Sequence, residues 1–238
     1  SLHIVFTSEY DLVTGSERDH IAPKRCSVIP LGIDMDLFAV DRDRSALREE
    51  LGIQPTDLVI GNVARLVPQK GHCYMIEAAM QVIQCHSNVT FVVVGEGILL
   101  HELVEFVESK GCTDRFVFLG WRDDVPNLLG SFDVFVNPSI YEGLCLAVVE
   151  AAAMACPIVS TAVGGVPAVI QDGRSGKLVQ PLDPSELANA LIWMVEHPVE
   201  AKEMGRQAKL SVIRKYSNDN MTRQSYSLYD RLLSDYFV

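Results

Sequence analysis

Short runs of Val, Ile, Leu and Phe alternate along the chain with longer stretches in which apolar residues recur every three or four positions. The runs predict strands at 3–6, 27–30, 58–64, 89–94, 115–119, 133–137, 157–160 and 177–179. Most are nearly continuous in apolar residues, as strands buried on both faces of a parallel sheet are. Between them the spacing predicts helices over 44–51, 72–86, 99–110, 125–131 and 146–155, and almost everything from Pro184 onward reads as helical. Strands alternating with helices in this way predict right-handed β-α-β units. The expected fold is α/β, a doubly wound, Rossmann-like parallel sheet.

The alternation is regular only from about residue 27. Residues 1–24 hold one strand and then a polar stretch (Thr14, Gly15, Ser16, Glu17, Arg18, Asp19), and read as the remnant of a preceding domain or a linker. Residues 25–215 read as the main domain and 216–238 as a terminal helix. That helix, about 218–236, carries Tyr226, Leu228, Tyr229, Leu232, Leu233 and Tyr236, an apolar face that wants a partner surface. The chain opens on Ser1 and runs straight into the apolar segment 2–6, so it reads as a piece of a longer protein.

Composition narrows the partner. Of 238 residues, 48% are hydrophobic and 21% charged, enough to bury one large core, and no apolar run reaches the length of a membrane span. Lys and Arg number 20 against 31 Asp and Glu, a net charge of −11, which argues against nucleic acid or an anionic lipid surface as the main partner. A phosphorylated small ligand remains compatible, given a local cluster of cations. The six cysteines, Cys26, Cys73, Cys85, Cys112, Cys145 and Cys156, form no C-x-x-C pair and stand beside no histidine at zinc spacing. They are expected as buried thiols of a protein in the reducing cytoplasm.

Ligands of an open parallel sheet bind outside the carboxyl ends of its strands, so the residues after each predicted strand are the candidates. Arg65 and Lys70 follow the third strand, and two cations flanking a loop can neutralise a diphosphate. Gly95, in Gly95-Glu96-Gly97, follows the fourth, and Gly120, Trp121 and Arg122 follow the fifth. Glu142 and Gly143 follow the sixth. Leu144, Cys145, Leu146 and Ala147 then start a helix whose free N–H groups and dipole suit an anion. Glu142 would repel a phosphate, so it is expected to face a neutral or cationic part of a ligand, such as sugar hydroxyls. Glu150 is the lone carboxylate in the apolar stretch 146–155 and needs a partner if buried. Helical side chains tilt toward the N-terminus, which aims Glu150 at the ligand edge, where two ribose hydroxyls would suit it. Gly164 and Gly165 permit a close approach or a tight connection. No G-x-G-x-x-G fingerprint and no Walker lysine loop occurs, which disfavours a dinucleotide or ATP site. Two acidic triplets, Asp34-Met35-Asp36 and Asp41-Arg42-Asp43, sit in a linker; the second reads as helix-start acids, and neither a metal nor a cofactor is expected. The histidines (His3, His20, His72, His86, His101, His197) share no spacing and read as surface or packing residues.

Taken in order, these residues resemble the retaining glycosyltransferases of family four, with the two-domain GT-B architecture. The resemblance runs from about residue 27 to about 215. It is carried by Val28-Ile29-Pro30-Leu31-Gly32-Ile33-Asp34, by Asn62-Val63-Ala64-Arg65-Leu66-Val67-Pro68-Gln69-Lys70-Gly71, by Val94-Gly95-Glu96-Gly97 and by Phe118-Leu119-Gly120. The last segment runs from Pro138-Ser139 through Glu142-Gly143 to Glu150-Ala151, an E-x7-E element. The resemblance implies the C-terminal, donor-binding half of such an enzyme. Arg65 and Lys70 would hold the diphosphate of a UDP-, GDP- or ADP-linked sugar. Glu142 would contact the sugar, and the amides of Gly143, Leu144, Cys145, Leu146 and Ala147 would help to hold sugar and phosphate. Glu150 would bind the ribose, the backbone around Gly120, Trp121 and Arg122 would meet the base, and Gly95 would line the pocket.

Transfer would retain the anomeric configuration without a metal, the leaving phosphate assisting deprotonation of the acceptor. The acceptor, a sugar or lipid, would bind an N-terminal domain that this chain lacks, in polysaccharide or glycolipid synthesis in the cytoplasm or at the inner membrane face. Half of such a site is not expected to turn over alone. Two departures stand out. Cys145 replaces a usual glycine, proline or serine and is expected to alter the sugar fit, and Ala168 stands where an acid is common. In the family the last helix crosses to the N-terminal domain; here it is expected to be disordered, shifted or engaged in a contact between copies. Rival readings are a nucleotide-sugar epimerase of the same architecture, a non-catalytic nucleotide-binding module and a dehydrogenase, the last disfavoured by the missing fingerprint.

Overall fold

The computed structural model describes residues 3–39 and 44–236; the triplet Asp41-Arg42-Asp43 lies outside them. Its strands are β1 (Ile4–Phe6), β2 (Cys26–Val28), β3 (Leu58–Val63), β4 (Val89–Val94), β5 (Phe116–Gly120), β6 (Val134–Asn137), β7 (Ile158–Thr161) and β8 (Lys177–Val179). Its helices are α1 (Glu9–Arg18), α2 (Arg44–Glu50), α3 (His72–Cys85), α4 (Leu100–Ser109), α5 (Val125–Ser131), α6 (Leu146–Ala153), α7 (Pro184–Glu196), α8 (Pro198–Val212) and α9 (Asn218–Tyr236). Each element of the main domain lies within a few residues of its sequence-based position.

β3 to β8 form one six-stranded sheet in the order β5-β4-β3-β6-β7-β8, parallel throughout. The order reverses between β3 and β6, and the crevice at such a switch point is where doubly wound sheets bind ligands. All six residues of β4 are buried, which explains its unbroken apolar run. On one face Ile60, Phe91 and Val93 pack under Met75, Ile76, Leu103, Leu187 and Leu191, from α3, α4 and α7. On the other, Val59, Val92 and Phe135 pack under Leu47, Leu128, Val148, Val149 and Val212, from α2, α5, α6 and α8. Each such side chain contributes roughly 1.5–3 kcal/mol when fully buried.

The N-terminal region differs from its sequence-based reading. The polar stretch from Thr14 to Asp19 is the second half of α1 and its cap. No residue of α1 is buried and most of its residues are polar; Ser8 caps it, accepting from the backbone N–H of Asp11 at 3.0 Å. β1 pairs in parallel with β2, Ile4 opposite Cys26, in a separate two-stranded sheet.

The terminal helix, α9, lies on this N-terminal unit. Ile33 N–H donates to Tyr216 O at 2.8 Å and Asn218 N–H to Ile33 O at 3.0 Å. Gly32 N–H lies 3.3 Å from Met221 Sδ, and Arg231 Nη2 donates to Ser27 Oγ at 3.1 Å. Leu228 is buried, while Tyr226, Tyr229 and Leu233 stay exposed. The cysteine expectation holds for Cys112, Cys145 and Cys156, which are buried; Cys73 and Cys85, on α3, are exposed.

Candidate functional site

Two loops meet at the switch point. The first leaves β3 and is held against the β4 loop by Leu66 N–H donating to Glu96 O at 2.8 Å, with the Leu66 side chain fully buried. It closes in a 3-10 turn, Pro68–Lys70, and at Gly71, whose φ is 64° and where a Cβ would stand 2.1 Å from Pro138 O. The second leaves β6 and is joined to the first at two points. Ile140 N–H donates to Gln69 O at 2.8 Å, and Gln69 Nε2 donates to Tyr141 O at 3.0 Å.

The joined loops place Lys70 Nζ 2.5 Å from Glu142 Oε1, with only 15% and 6% of the two side chains exposed. The cation expected at a diphosphate and the carboxylate expected at a sugar therefore hold each other. Arg65, on the same loop, is exposed and has no ion-pair partner among the described residues.

Around Glu142 runs a belt of buried polar groups that the sequence reading missed. Ser139 Oγ lies 2.7 Å from Glu142 Oε1 and 2.9 Å from Asn137 Oδ1. Thr161 Oγ1 donates to Ser139 O at 2.6 Å, and Asn137 Nδ2 to Ser160 Oγ at 2.9 Å. Nearby, His72 meets Asn62 Oδ1 through Nε2 at 3.0 Å, and Asn62 Nδ2 donates to Val136 O at 2.9 Å. Burial, with Lys70 adding to it, pushes the His72 imidazole down to about 4, so it is a neutral packing residue. One signal was available: Asn62, Asn137, Ser160 and Thr161 are polar residues at the carboxyl ends of otherwise apolar strands.

Beyond Glu142, none of the backbone N–H groups of residues 143–147 donates a hydrogen bond among the described residues. They open a stretch of free donors at the start of α6. Gly164 and Gly165 support this stretch from behind. A Cβ on Gly164 would stand 1.8 Å from Glu142 O, and Gly165 N–H donates to Gly143 O at 2.7 Å. Their close approach is to protein backbone. A Cβ on Gly143 would meet the Asp11 carboxylate, 3.1 Å away, so the N-terminal unit reaches this loop.

Cys145 does not turn toward a ligand. Its side chain is 3% exposed in the core, and burial, with the Glu142 carboxylate adding to it, pushes the thiol up to about 12. Its thiol adjoins Glu142, and toward a ligand it offers its N–H. Leu146 and Ala147 are half-buried against the core, and Leu144 lines a cavity of about 220 Å3 shared with Thr7, Ser8 and Tyr216.

Glu150 is half-buried and has no hydrogen-bond or ion-pair partner among the described residues, and burial pushes its carboxyl up to about 7. Gly95 has φ 129°, its N–H donates to Gly120 O at 2.7 Å, and a Cβ there would stand 2.0 Å from Ala64 O. Gly120 has φ 66°, and Trp121 follows with 67% of its surface exposed. The Arg122 guanidinium is committed elsewhere, at 2.7 Å from Asp124 and 2.6 Å from Glu50 of α2, which leaves only its backbone for a ligand. Asp34 caps a short 3-10 turn by accepting from Asp36 N–H at 3.1 Å. Among the described residues no group of three or more His, Cys, Asp and Glu is placed to hold a metal ion.

Lys70, Glu142 and the free amides before α6 thus meet at the switch point of the six-stranded sheet, with Arg65 on the same loop as Lys70 and Glu150 on α6, and residues 57–197 match the family model described as Glycosyl transferases group 1. The chain belongs to this family. A galactosyltransferase of Escherichia coli, named for transfer from UDP-Gal to α-D-GlcNAc-diphosphoundecaprenol, is 34% identical over 184 residues, 76% of this chain and 48% of its own length. The chain spans about half the length of the curated relatives it matches. Among solved structures, Anabaena HepE in complex with UDP and glucose superposes with a TM-score of 0.90 at 25% identity, covering 97% of this chain and 64% of that one. The C-terminal domain of a group 1 glycosyl transferase, LpcC of Francisella tularensis, superposes with a TM-score of 0.71 at 27% identity, over 79% of this chain and all of that domain. The group 1 fold seen here is therefore that of the C-terminal half of the GT-B architecture.

Proposed function

We propose that this domain binds a nucleotide-sugar donor and that the complete protein transfers the sugar to an acceptor with retention of configuration. The observation that carries the reading is the E-x7-E element in place. Glu142 is paired with Lys70, Glu150 is unpartnered, and a run of free amides lies between them.

Each residue then has a role set by its surroundings. Arg65, exposed and unpaired, and Lys70, on its 3-10 turn, neutralise the diphosphate. The amides of Gly143, Leu144, Cys145, Leu146 and Ala147 hold the distal phosphate and the sugar, and Glu142 accepts from sugar hydroxyls. Glu150, apolar-flanked and without a partner, accepts from the ribose hydroxyls and becomes ionised as it does so. The backbone of Gly120, Trp121 and Arg122 meets the base, and Gly95 keeps the wall beside it thin. Fixed dipoles and cations at the phosphates stabilise the charge that develops on the leaving diphosphate. No metal or cofactor is needed in this scheme. The acceptor, a sugar or lipid, binds outside this chain, and the reaction runs on the cytoplasmic side. The exposed part of α9, with Tyr226, Tyr229 and Leu233, is the site of contact between copies. Because HepE has been crystallised with UDP and with UDP-glucose, a uridine donor is the first choice over GDP or ADP.

Calorimetric titration with UDP, GDP and ADP, without added metal, tests the reading. One nucleotide should bind, and Lys70→Ala and Glu150→Ala should each weaken it by about ten- to hundred-fold, the loss of one hydrogen bond to a charged group. A folded chain whose affinity is the same in both variants would show that the nucleotide sits elsewhere.

A further inference from the structure

One hydroxyl at this site faces more acceptors than it has protons. Ser139 is fully buried, and its Oγ is within hydrogen-bond distance of both Glu142 Oε1, at 2.7 Å, and Asn137 Oδ1, at 2.9 Å. A serine hydroxyl donates once. If the proton goes to the carboxylate, two oxygens face each other without one, and a buried unmet acceptor is costly.

The conflict disappears when the Asn137 amide turns over, exchanging Oδ1 and Nδ2, whose places are told apart only by their partners. Nδ2 then donates to Ser139 Oγ, and the Ser139 proton is free for Glu142. At the other end Ser160 Oγ, 2.9 Å from the amide, donates to Oδ1 in place of its looser 3.2 Å contact with Thr161 O. Every donor in the chain then points the same way, from Ser160 through Asn137 and Ser139 to Glu142. Thr161 Oγ1, donating to Ser139 O at 2.6 Å, fixes the backbone from which Ser139 reaches.

This chain matters because Lys70 has two claims on it. In the structure it sits on Glu142 at 2.5 Å, and in the proposed function it turns toward the donor phosphates. Glu142 is only 8% exposed with Lys70 in place and the neighbouring Cys145 thiol is a weak donor, so Ser139 is the protein donor left to Glu142 when the ammonium moves.

We propose that Ser139 is the positioning residue of Glu142: oriented by Asn137 and Ser160, it holds Oε1 in place while the donor draws Lys70 away, and so keeps Oε2 aimed at the sugar. The inference rests on the donor-site reading. It places the cost of losing Ser139 on the sugar-bound state more than on the free protein, where Lys70 still neutralises Glu142.

The test titrates the chain with UDP, UDP-glucose and UDP-galactose and follows, for the better-bound sugar, the ratio of its affinity to that of UDP. Ser139→Ala should lower that ratio by about ten-fold, the worth of one hydrogen bond to a charged group, because only the sugar depends on an aimed Oε2; affinity for UDP, whose phosphates also draw Lys70 away, should fall as well. Ser160→Ala interrupts the chain two side chains away from Glu142 and should lower the ratio by a smaller factor. It also carries the test if Ser139→Ala does not fold. A merely structural role would weaken UDP and UDP-sugar equally and leave the ratio alone. An unchanged ratio in Ser139→Ala, or in Ser160→Ala where that variant carries the test, overturns the inference while the donor site stands. Failure of the unsubstituted chain to bind any of the three ligands overturns the donor-site reading and this inference with it.

Discussion

The loop that ends in Glu142 and the helix flank that carries Glu150 treat a carboxylate in opposite ways. Glu142 is almost fully buried yet held by an ammonium at 2.5 Å and a hydroxyl at 2.7 Å. Glu150 is less buried, has no partner among the described residues, and keeps its proton up to a pH of about 7. Burial alone therefore does not decide whether an acid here is held by the protein; the supply of nearby donors does. The first site is completed by the protein and the second is left for a ligand to complete.

The largest test of this contrast is Glu142→Ala. It strands the Lys70 ammonium in a nearly closed environment, and breaking such a pair costs about 3–5 kcal/mol. Urea unfolding should show that loss, and Lys70→Met in the same chain should restore much of it, since removing both charges removes the unmet one. If the double variant is as unstable as the single, the pair is not what stabilises the joined loops.

Next in size is the pH response of Glu150. Its carboxyl is raised from an ordinary 4.5 to about 7 on folding. Between those values the folded state holds a proton that the unfolded state has lost, so stability falls as pH rises through the window. The fall is at most about 3 kcal/mol, and less as solvent reaches the group. Glu150→Gln should remove it, so that the difference between wild type and variant grows in the variant's favour from pH 4.5 to 7 and is flat below. A constant difference across that range would place the Glu150 carboxyl in an ordinary environment.

Ligand binding sharpens the same point with a smaller signal. Ribose hydroxyls favour the ionised carboxylate, so UDP binding at pH 7 should release a fraction of a proton. Titrations in two buffers of different ionisation enthalpy would reveal it, and Glu150→Gln should abolish it. Arg122→Ala should do least. Its guanidinium is shared between Asp124 and the half-exposed Glu50, an arrangement typically worth about 1 kcal/mol or less, and UDP affinity should be unchanged. A large loss of affinity would mean that Arg122 leaves those acids for the ligand.

Much of this was legible in the sequence. Apolar runs gave the strands, and the charged and glycine-rich residues after them marked the edge where Lys70, Glu142 and the start of α6 meet. What escaped was everything settled by contacts remote in sequence. Ser139 gains its meaning from Thr161 and Ser160 on the next strand. Arg122 was expected to offer a ligand its backbone, but nothing in the sequence showed that Glu50, far upstream, takes its side chain. α1 was missed because it is mostly polar and buries no residue. Gly164 and Gly165 pointed to a close approach without saying to what; the answer is the backbone of Glu142 and Gly143.

The contact between α9 and the segment around β2 also sets an order of assembly. Ile33 bonds to Tyr216 and Asn218, and Ser27 to Arg231. As the chain leaves the ribosome, β1, α1 and β2 emerge before any of the six-stranded sheet, but the helix that covers them is made after all of it. Until then Ile29 and its neighbours have no lid, while the sheet between can already close. Contacts so distant in sequence form slowly because the intervening loop must be ordered first. This corner should be the last to gain protection from hydrogen exchange during refolding.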